Sequence, residues 1–154
     1  MILGIDPGTA TVGYSFVTGT KQNPVIHDFG VITTPALGKD MLPTRLLEIS
    51  RDLKQLIEIH KPSSAVVEDL FFAKNVKTAI SVAQARGVIL YVLAEYGLPV
   101  LSPTPLQIKQ TLCGHGNATK KQIQNMVVRI FGLDEIPKPD DAADSLAIAW
   151  WGLN

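Results

Sequence analysis

The chain has 154 residues, of which 46% are hydrophobic, and its formal net charge at pH 7 is zero. This size predicts one globular domain over residues 1–154, which buries roughly 70% of the surface that the unfolded chain exposes. A single cysteine, Cys113, excludes an internal disulfide and indicates a reducing compartment such as the cytoplasm. Neither a leader pattern nor an apolar run long enough to span a bilayer is present, so no membrane partner is expected.

The first third of the chain has the pattern of strands followed by a helix. Three β-branched or alternating runs, separated by Pro, Gly, Thr or Asn, predict strands over residues 2–6, 12–17 and 25–33. Apolar residues then recur at helical spacing over residues 42–60, and Lys61-Pro62 ends that helix.

The rest of the chain alternates strands and helices. A continuous apolar run and a short second one predict strands over residues 64–70 and 100–101. The order of elements predicts an α/β fold with a five-stranded mixed sheet, its first three strands antiparallel and the later ones parallel, flanked by helices. The predicted helices in this part are 75–96, one that ends at Leu112 after Pro103, one from Asn117 as N-cap to Phe131, and 140–151.

The long helix over residues 75–96 contains an apolar segment, residues 88–94, with no polar stripe. A helix that covers only one face of a sheet shows polar residues on its other side. The segment therefore suggests a second buried face in a homodimer. The alternative is a central helix that a monomer encloses with its own chain.

Charge is divided unevenly along this neutral chain. Between residues 71 and 132 there are seven basic residues and one acidic residue, a net charge of +6, so the remainder carries −6. Such a division lets a neutral protein present a basic face to a polyanion, as nucleic-acid binding requires. The alternative is that these basic residues are scattered over solvated surfaces.

Acidic residues stand at the edges of the predicted apolar elements. Asp6 and Glu68 each end a buried strand, and adjacent parallel strands would bring the two carboxylates together. Asp141 and Asp144 lie three residues apart on the first turn of the last helix and can reach a common point. Asp140 is most simply the N-cap of that helix, and Asp141 alone would also be favourable there as a charge near the helix N-terminus.

Several carboxylates brought to one sheet edge stay ionised together only if positive charge lies among them. An all-oxygen set of ligands suits hard divalent cations, and Mg²⁺ fits it better than Zn²⁺. The residues therefore predict a metal-dependent enzyme that acts on phosphate.

Five blocks of sequence extend this pattern over nearly the whole chain, and together they resemble the RuvC family of Holliday-junction resolvases within the RNase H-like superfamily. In that resemblance the four metal-binding acids match Asp6, Glu68, Asp141 and Asp144, and Asp140 falls beside the set. The blocks are Gly4-Ile5-Asp6-Pro7-Gly8, Val67-Glu68-Asp69-Leu70-Phe71-Phe72-Ala73-Lys74-Asn75, Gln84-Ala85-Arg86-Gly87, Ile108-Lys109-Gln110-Thr111 and Asp140-Asp141-Ala142-Ala143-Asp144-Ser145-Leu146-Ala147.

The resemblance implies an endonuclease that cuts two opposing strands of four-way junction DNA as a homodimer, in recombination and repair. It also implies a location in the cytoplasm of a bacterial type of cell or in an organelle of bacterial origin, with the branch-migration proteins RuvA and RuvB as candidate partners. The four acids can hold two Mg²⁺ ions about 4 Å apart, with Asp6 as the bridge, and Mn²⁺ is able to substitute.

The resemblance further assigns roles to aromatic and basic residues. Phe71 matches an aromatic residue that stacks on bases of the opened junction, although strand alternation alone leaves open which of Phe71 and Phe72 is exposed. Lys109 and Lys120 match lysines needed near the scissile phosphate, and Lys121 is expected to contact the DNA backbone. The remaining residues that could extend this track, or could simply be solvated, are Lys74, Asn75, Lys77 and Arg86.

Two other functions compete with this interpretation. Asp6-Pro7-Gly8-Thr9 also resembles the first phosphate loop of actin-like kinases and chaperone ATPases, but those enzymes need two such domains and the sequence has no second loop of this kind. Another RNase H-like nuclease, acting on a different branched or RNA-containing substrate, remains the main alternative.

Overall fold

A five-stranded sheet forms the centre of the computed structural model, which describes residues 1–34, 41–70 and 76–154 and, in this last range, the side chains from 79 onwards. In spatial order the strands are β3 (Pro24–Thr33), β2 (Thr11–Gly19), β1 (Ile2–Asp6), β4 (Ser64–Val67) and β5 (Val100–Leu101). Antiparallel pairing joins β1 to β2 and β2 to β3, whereas β4 is parallel to both β1 and β5. The predicted mixed sheet is therefore confirmed.

Helices cover both faces of this sheet. They are α1 (Leu42–His60), α2 (Val76–Glu95), α3 (Pro105–Cys113), α4 (Lys120–Phe131) and α5 (Asp140–Trp151). Along β1, Leu3 and Ile5 belong to the core beneath α1 and α2, while on β4 Val66 belongs to the core beneath the other three helices. The period of two residues along each strand thus divides the apolar side chains between two layers.

Helix α5 lies unusually close to the sheet. A Cβ atom at Gly4 would come within 2.5 Å of the Ser145 carbonyl oxygen, and one at Gly13 would overlap the carbonyl oxygen of Asp141. The buried Ser15 hydroxyl donates a hydrogen bond of 2.8 Å to the Ser145 carbonyl. Only small residues on β1 and β2 permit this approach, which fixes the first turn of α5 beside the end of β1.

The N-cap residues of two helices differ from the predictions. Helix α4 begins after Thr119, not Asn117, because Thr119 and Gln122 form a capping box in which each side chain bonds the other's backbone N–H. Pro139 is the N-cap residue of α5, so the prediction that Asp140 caps this helix is wrong. Asp140 is instead the first helical residue, and its carboxylate contacts side chains of α4.

Helix α2 buries one face and exposes the other. Ala85, Ile89 and Val92 are fully buried against the sheet, whereas the side chains of Ile80 and Tyr91 are 62% and 65% exposed. The chain therefore does not enclose α2 as a central helix over its described side chains. None of the helices in the described ranges is long and apolar enough to cross a membrane.

Candidate active site

Two of the predicted acids, Asp6 and Glu68, lie at neighbouring strand ends, and we call them the sheet acids. Parallel pairing sets Ile5 opposite Val67, so Asp6 and Glu68 are the next residues along the two neighbouring strands. The Glu68 amide continues this ladder by donating a hydrogen bond of 3.2 Å to the Ile5 carbonyl. As predicted, two parallel strands deliver both carboxylates to one edge of the sheet.

The other two acids, Asp141 and Asp144, stand on the first turns of α5, and we call them the helix acids. The close packing of α5 on Gly4 and Gly13 places this turn next to the sheet acids. Asp6, Glu68 and Asp144 line a common cleft of about 210 Å³. Asp141 is not part of its lining, although its charge acts on both Asp6 and Asp144.

Burial and mutual repulsion raise the pKa values of both sheet acids. Burial is the main cause that raises the pKa of Asp6 well above its usual range, and repulsion from Glu68, Asp144 and Asp141 adds to it while Lys120 opposes it. Burial likewise raises the pKa of Glu68 to about 7, with repulsion from Asp144 adding and attraction from Lys109 opposing. With a pKa of about 7, Glu68 is partly protonated near neutral pH, and positive charge entering the cleft would favour the ionised form of both carboxyl groups.

Both lysines that the resemblance singles out line the same cleft. Lys109 extends from α3 and Lys120 from the first position of α4, and apolar side chains of α3, α4 and α5 form the floor between them. The Lys120 ammonium lies 3.4 Å from Asp144 Oδ2 and 3.2 Å from Asp140 Oδ2. Burial lowers the pKa of Lys120, but the attraction of Asp144 and Asp140 outweighs it and raises that pKa overall.

The other predicted DNA contacts are placed less directly. Lys121 is exposed next to Lys120 at the start of α4. Lys77 belongs to α2, but its side chain is not described. The predicted contacts that lie outside the described residues are Phe71, Phe72, Lys74 and Asn75.

Arg86 is directed into the protein. Its guanidinium donates hydrogen bonds to the Glu68 carbonyl at 3.1 Å and to the Ser102 hydroxyl at 3.0 Å, and it pairs with Asp69 at 3.2 Å. Only 17% of the side chain is exposed. Arg86 therefore ties the segment that carries Glu68 to α2 and to the end of β5.

Nothing in the sequence indicated one contact that lies beside the site. The Gln124 amide donates a hydrogen bond of 3.0 Å to Asp140 Oδ1, so both oxygens of this carboxylate are engaged by α4. Spacing held a partial signal, because Asp140 and Asp144 are four residues apart and share a helix face. Which residues would meet that face depended on how α4 packs against α5.

The carboxylate oxygens are the kind of ligand that a divalent cation prefers, but among the described residues their side chains are not close enough together to form a complete metal site. In residues 1–34, 41–70 and 76–154, no three acidic, histidine or cysteine side chains are already drawn together as a complete metal site. Lys120 contacts both Asp140 and Asp144, so these two carboxylates share one counter-ion. The raised pKa values of Asp6 and Glu68 nevertheless mark two half-buried acids whose negative charge a divalent cation would neutralise.

Comparison with known proteins gives consistent matches over nearly the whole chain. The family model described as "Crossover junction endodeoxyribonuclease RuvC" matches residues 2–151. Proteins of that name from Syntrophomonas wolfei and Chloroflexus aurantiacus are 49% and 51% identical, each over 96% of this chain and over 85% and 88% of their own lengths.

Solved structures show the same similarity. "T. thermophilus RuvC in complex with Holliday junction substrate" superposes with a TM-score of 0.88 and 32% identity, over 97% of this chain and 90% of that one. The yeast mitochondrial Holliday junction resolvase Ydc2 superposes with a TM-score of 0.65 over 97% of this chain and 77% of its own. At 20% identity, Ydc2 shares the fold alone.

Proposed function

The chain belongs to the RuvC family of crossover junction endodeoxyribonucleases, and we propose that Asp6, Glu68, Asp141 and Asp144 serve it as ligands for two Mg²⁺ ions. As a member of this family it is an endonuclease that acts on Holliday junctions in recombination and repair. The observation that carries the metal proposal is the cleft that Asp6 and Glu68, two half-buried acids with raised pKa values, line together with Asp144 and two lysines. Mn²⁺ has the same preference for oxygen ligands and is expected to substitute.

The metal ions, when bound, would supply the positive charge that activates a water molecule and stabilises the leaving oxygen. The residues of the chain prepare this site in two ways. The strand ends and α5 hold four carboxylates around one edge of the sheet, and apolar side chains line part of the cleft beside them. Lys109 and Lys120 place two ammonium groups where negative charge develops on the phosphate.

Cleavage of a synthetic four-way junction tests this function. The purified protein is expected to nick the junction at symmetric positions in Mg²⁺ or Mn²⁺ and to leave it intact in EDTA, as mapped on a denaturing gel. A linear duplex and an RNA–DNA hybrid of the same sequence serve as matched substrates. Faster cleavage of the hybrid than of the junction would favour another RNase H-like activity.

DNA contacts are proposed along a track that leads away from the cleft. Lys109 and Lys120 contribute to it from within the cleft, and Lys121 is exposed beside them. The internal hydrogen bonds of Arg86 support a structural role for this residue. The further proposed contacts, which rest on the family resemblance, are Phe71, Phe72, Lys74, Asn75 and Lys77.

We propose that residues 1–154 act as one nuclease domain and that two copies associate through the exposed face of α2. Ile80 and Tyr91 stand on this face, and no side chain approaches within 4 Å of where a Cβ atom of Gly87 would lie. A homodimer would set two clefts against one junction and permit paired cuts. Analytical ultracentrifugation should show a dimer that Tyr91→Asp dissociates, and a wild-type monomer with and without junction DNA would contradict the proposal.

Family membership also supports two proposals about the setting of the reaction. RuvA and RuvB are the proposed partners, and the cytoplasm is the proposed location. Co-purification of the chain with both partners on junction DNA would test the first of these.

A further inference from the structure

We propose that Asp140, oriented by Gln124, is a positioning residue that holds the ammonium group of Lys120 at the edge of the active cleft. The inference rests on the proposed function, since it assigns Lys120 to the cleavage of phosphate. Asp140 lies outside the set of four acids, and the family resemblance gives it no role. Among the described ion pairs, Lys120 is its only partner, and that lysine lines the cleft; the charge of Asp140 also repels Asp144.

The contacts form a ladder between two helices. Lys120 and Gln124 are one turn apart on α4, and Asp140 and Asp144 are one turn apart on α5. Asp140 Oδ2 contacts the Lys120 ammonium at 3.2 Å, and Asp140 Oδ1 accepts a hydrogen bond from the Gln124 amide at 3.0 Å. With both oxygens engaged, rotation of the carboxylate is restricted and its direction towards Lys120 is fixed.

The same ammonium group also lies 3.4 Å from Asp144, which faces the cleft and is a proposed metal ligand. Whenever Asp144 is engaged by another cation, Asp140 is the acceptor that remains for Lys120. An unsupported lysine has a long flexible side chain, and a cation bound nearby would repel it towards solvent. Asp140 opposes that loss and keeps the positive charge near the phosphate.

The exposure of the Lys120 and Asp140 side chains indicates that their ion pair positions the lysine and does little to stabilise the fold. The side chains of Lys120 and Asp140 are 54% and 57% exposed, and ion pairs this exposed contribute little to the free energy of unfolding. Their removal should therefore leave the fold intact while allowing the ammonium group to leave the cleft. Loss of a positioning residue should therefore lower the rate of cleavage without lowering the affinity for DNA.

A double-mutant cycle tests the proposal by single-turnover cleavage of a four-way junction in Mg²⁺. Asp140→Ala should lower the cleavage rate by roughly threefold to tenfold, and Asp140→Asn, which keeps an acceptor for Lys120, by less. Junction affinity, measured in Ca²⁺, should stay equal or increase because an acidic residue is removed from a surface that binds a polyanion. Asp134→Asn removes an exposed acid elsewhere and is the matched control.

The decisive comparison is made in the Lys120→Ala background. If Asp140 acts through Lys120, Asp140→Ala should have less than about a twofold effect there. An equal loss of rate in both backgrounds would overturn the proposal. Failure of the wild-type protein to cut the junction would instead refute the proposed function, so the two failures are distinguishable.

Two further measurements keep the test independent of how well Asp140→Ala folds. Gln124→Ala leaves every charge in place and should slow cleavage by about twofold, again only when Lys120 is present. In EDTA, the melting temperatures of Lys120→Ala, Asp140→Asn and the double variant should depart from additivity by about 1–3 °C. Additive melting temperatures would show that the two side chains do not interact and would contradict the proposal.

Discussion

The sheet acids and the helix acid Asp144, which we call the two halves of the site, line the same cleft but differ in the positive charge that contacts them. The sheet acids, Asp6 and Glu68, are delivered by neighbouring parallel strands, and neither forms an ion pair within the described part of the chain. The helix acid Asp144 has Lys120 at 3.4 Å and stands on the first turns of α5, where the helix N-terminus favours negative charge. The sheet acids therefore have lysines nearby but no contacting ion pair, whereas Asp144 has one.

The causes of the pKa shifts reflect this difference, although all three shifts have the same direction. Burial raises the pKa of Asp6, Glu68 and Asp144 alike, but Lys120 strongly opposes the shift at Asp144 through an ion pair and a hydrogen bond. At Glu68 the opposing charge is Lys109, which leaves the pKa at about 7. The sheet acids are thus the part of the site that most needs an external cation, and variants of the two halves should behave differently without metal.

The largest expected effect separates activity from stability. Asp6→Asn and Asp144→Asn should each lower junction cleavage by about a thousandfold or more in Mg²⁺, because a proposed metal ligand is lost from each half. In EDTA at pH 8, Asp6→Asn should raise the melting temperature by removing a buried charge. Asp144→Asn should not, because it also removes the partner of Lys120.

Single-turnover kinetics and thermal melts check this prediction, with Asp134→Asn as the control for the loss of one acid. Binding to the junction in Ca²⁺ should persist in the Asp6→Asn variant. Native-rate cleavage by that variant would show that the metal assignment is wrong. Equal changes in melting temperature for both variants would remove the proposed difference between the halves.

An intermediate effect is expected in the pH dependence of stability. Folding raises the pKa of Glu68 from an ordinary value of 4.5 to about 7, so the folded state binds this proton more tightly than the unfolded state. The contribution of Glu68 to the free energy of unfolding is therefore most favourable below about pH 4.5. It is lost as the pH rises through 7, which lowers the free energy of unfolding by at most about 3 kcal/mol.

Thermal melts of wild type and Glu68→Gln in EDTA, at intervals from pH 5 to pH 8, measure this contribution. The variant should gain stability relative to wild type as the pH rises, because glutamine carries no charge to bury. A difference in melting temperature that stays constant over this range would show that Glu68 does not hold its proton in the folded protein.

The smallest expected effect distinguishes the two lysines. Lys109 acts on Glu68, and Lys120 acts mainly on Asp144 and Asp140. Lys109→Ala should therefore raise the pKa of Glu68 above that in the wild type, whereas Lys120→Ala should leave it nearly unchanged. Carboxyl ¹³C chemical shifts followed over pH report these values, and equal shifts in both variants would mean that the lysines are not assigned to separate halves.

Local sequence was sufficient where one element determines the outcome. Both ends of α1 and of α5 were predicted to the residue. The local signals were the apolar period, Lys61-Pro62 after α1 and Pro139 before α5. The mixed sheet followed from the order of strands and helices. In contrast, Thr119 displaced Asn117 as the cap of α4 because its capping box with Gln122 satisfies two backbone N–H groups at once.

Partners across elements were outside the reach of such patterns. Arg86 was predicted as a DNA contact from its motif and charge, and nothing along the chain indicated the Glu68 carbonyl as its acceptor. Asp140 was predicted as a cap because acids before a helix commonly serve there, yet its carboxylate binds Lys120 and Gln124. Both outcomes depend on the packing of α2 and α4, which local periodicity does not specify.

The sequence by itself determined which acids end the buried strands, which begin α5, and the family to which the chain belongs, since these depend on local apolar patterns and motif order. Only the tertiary structure decided which cation each acid meets. Gly4 and Gly13 let α5 approach the sheet, and the packing of α4 on α5 brings Lys120 between Asp140 and Asp144. Electrostatic interaction depends on distance and burial in space, so the charge balance of the cleft arises only when these elements pack together.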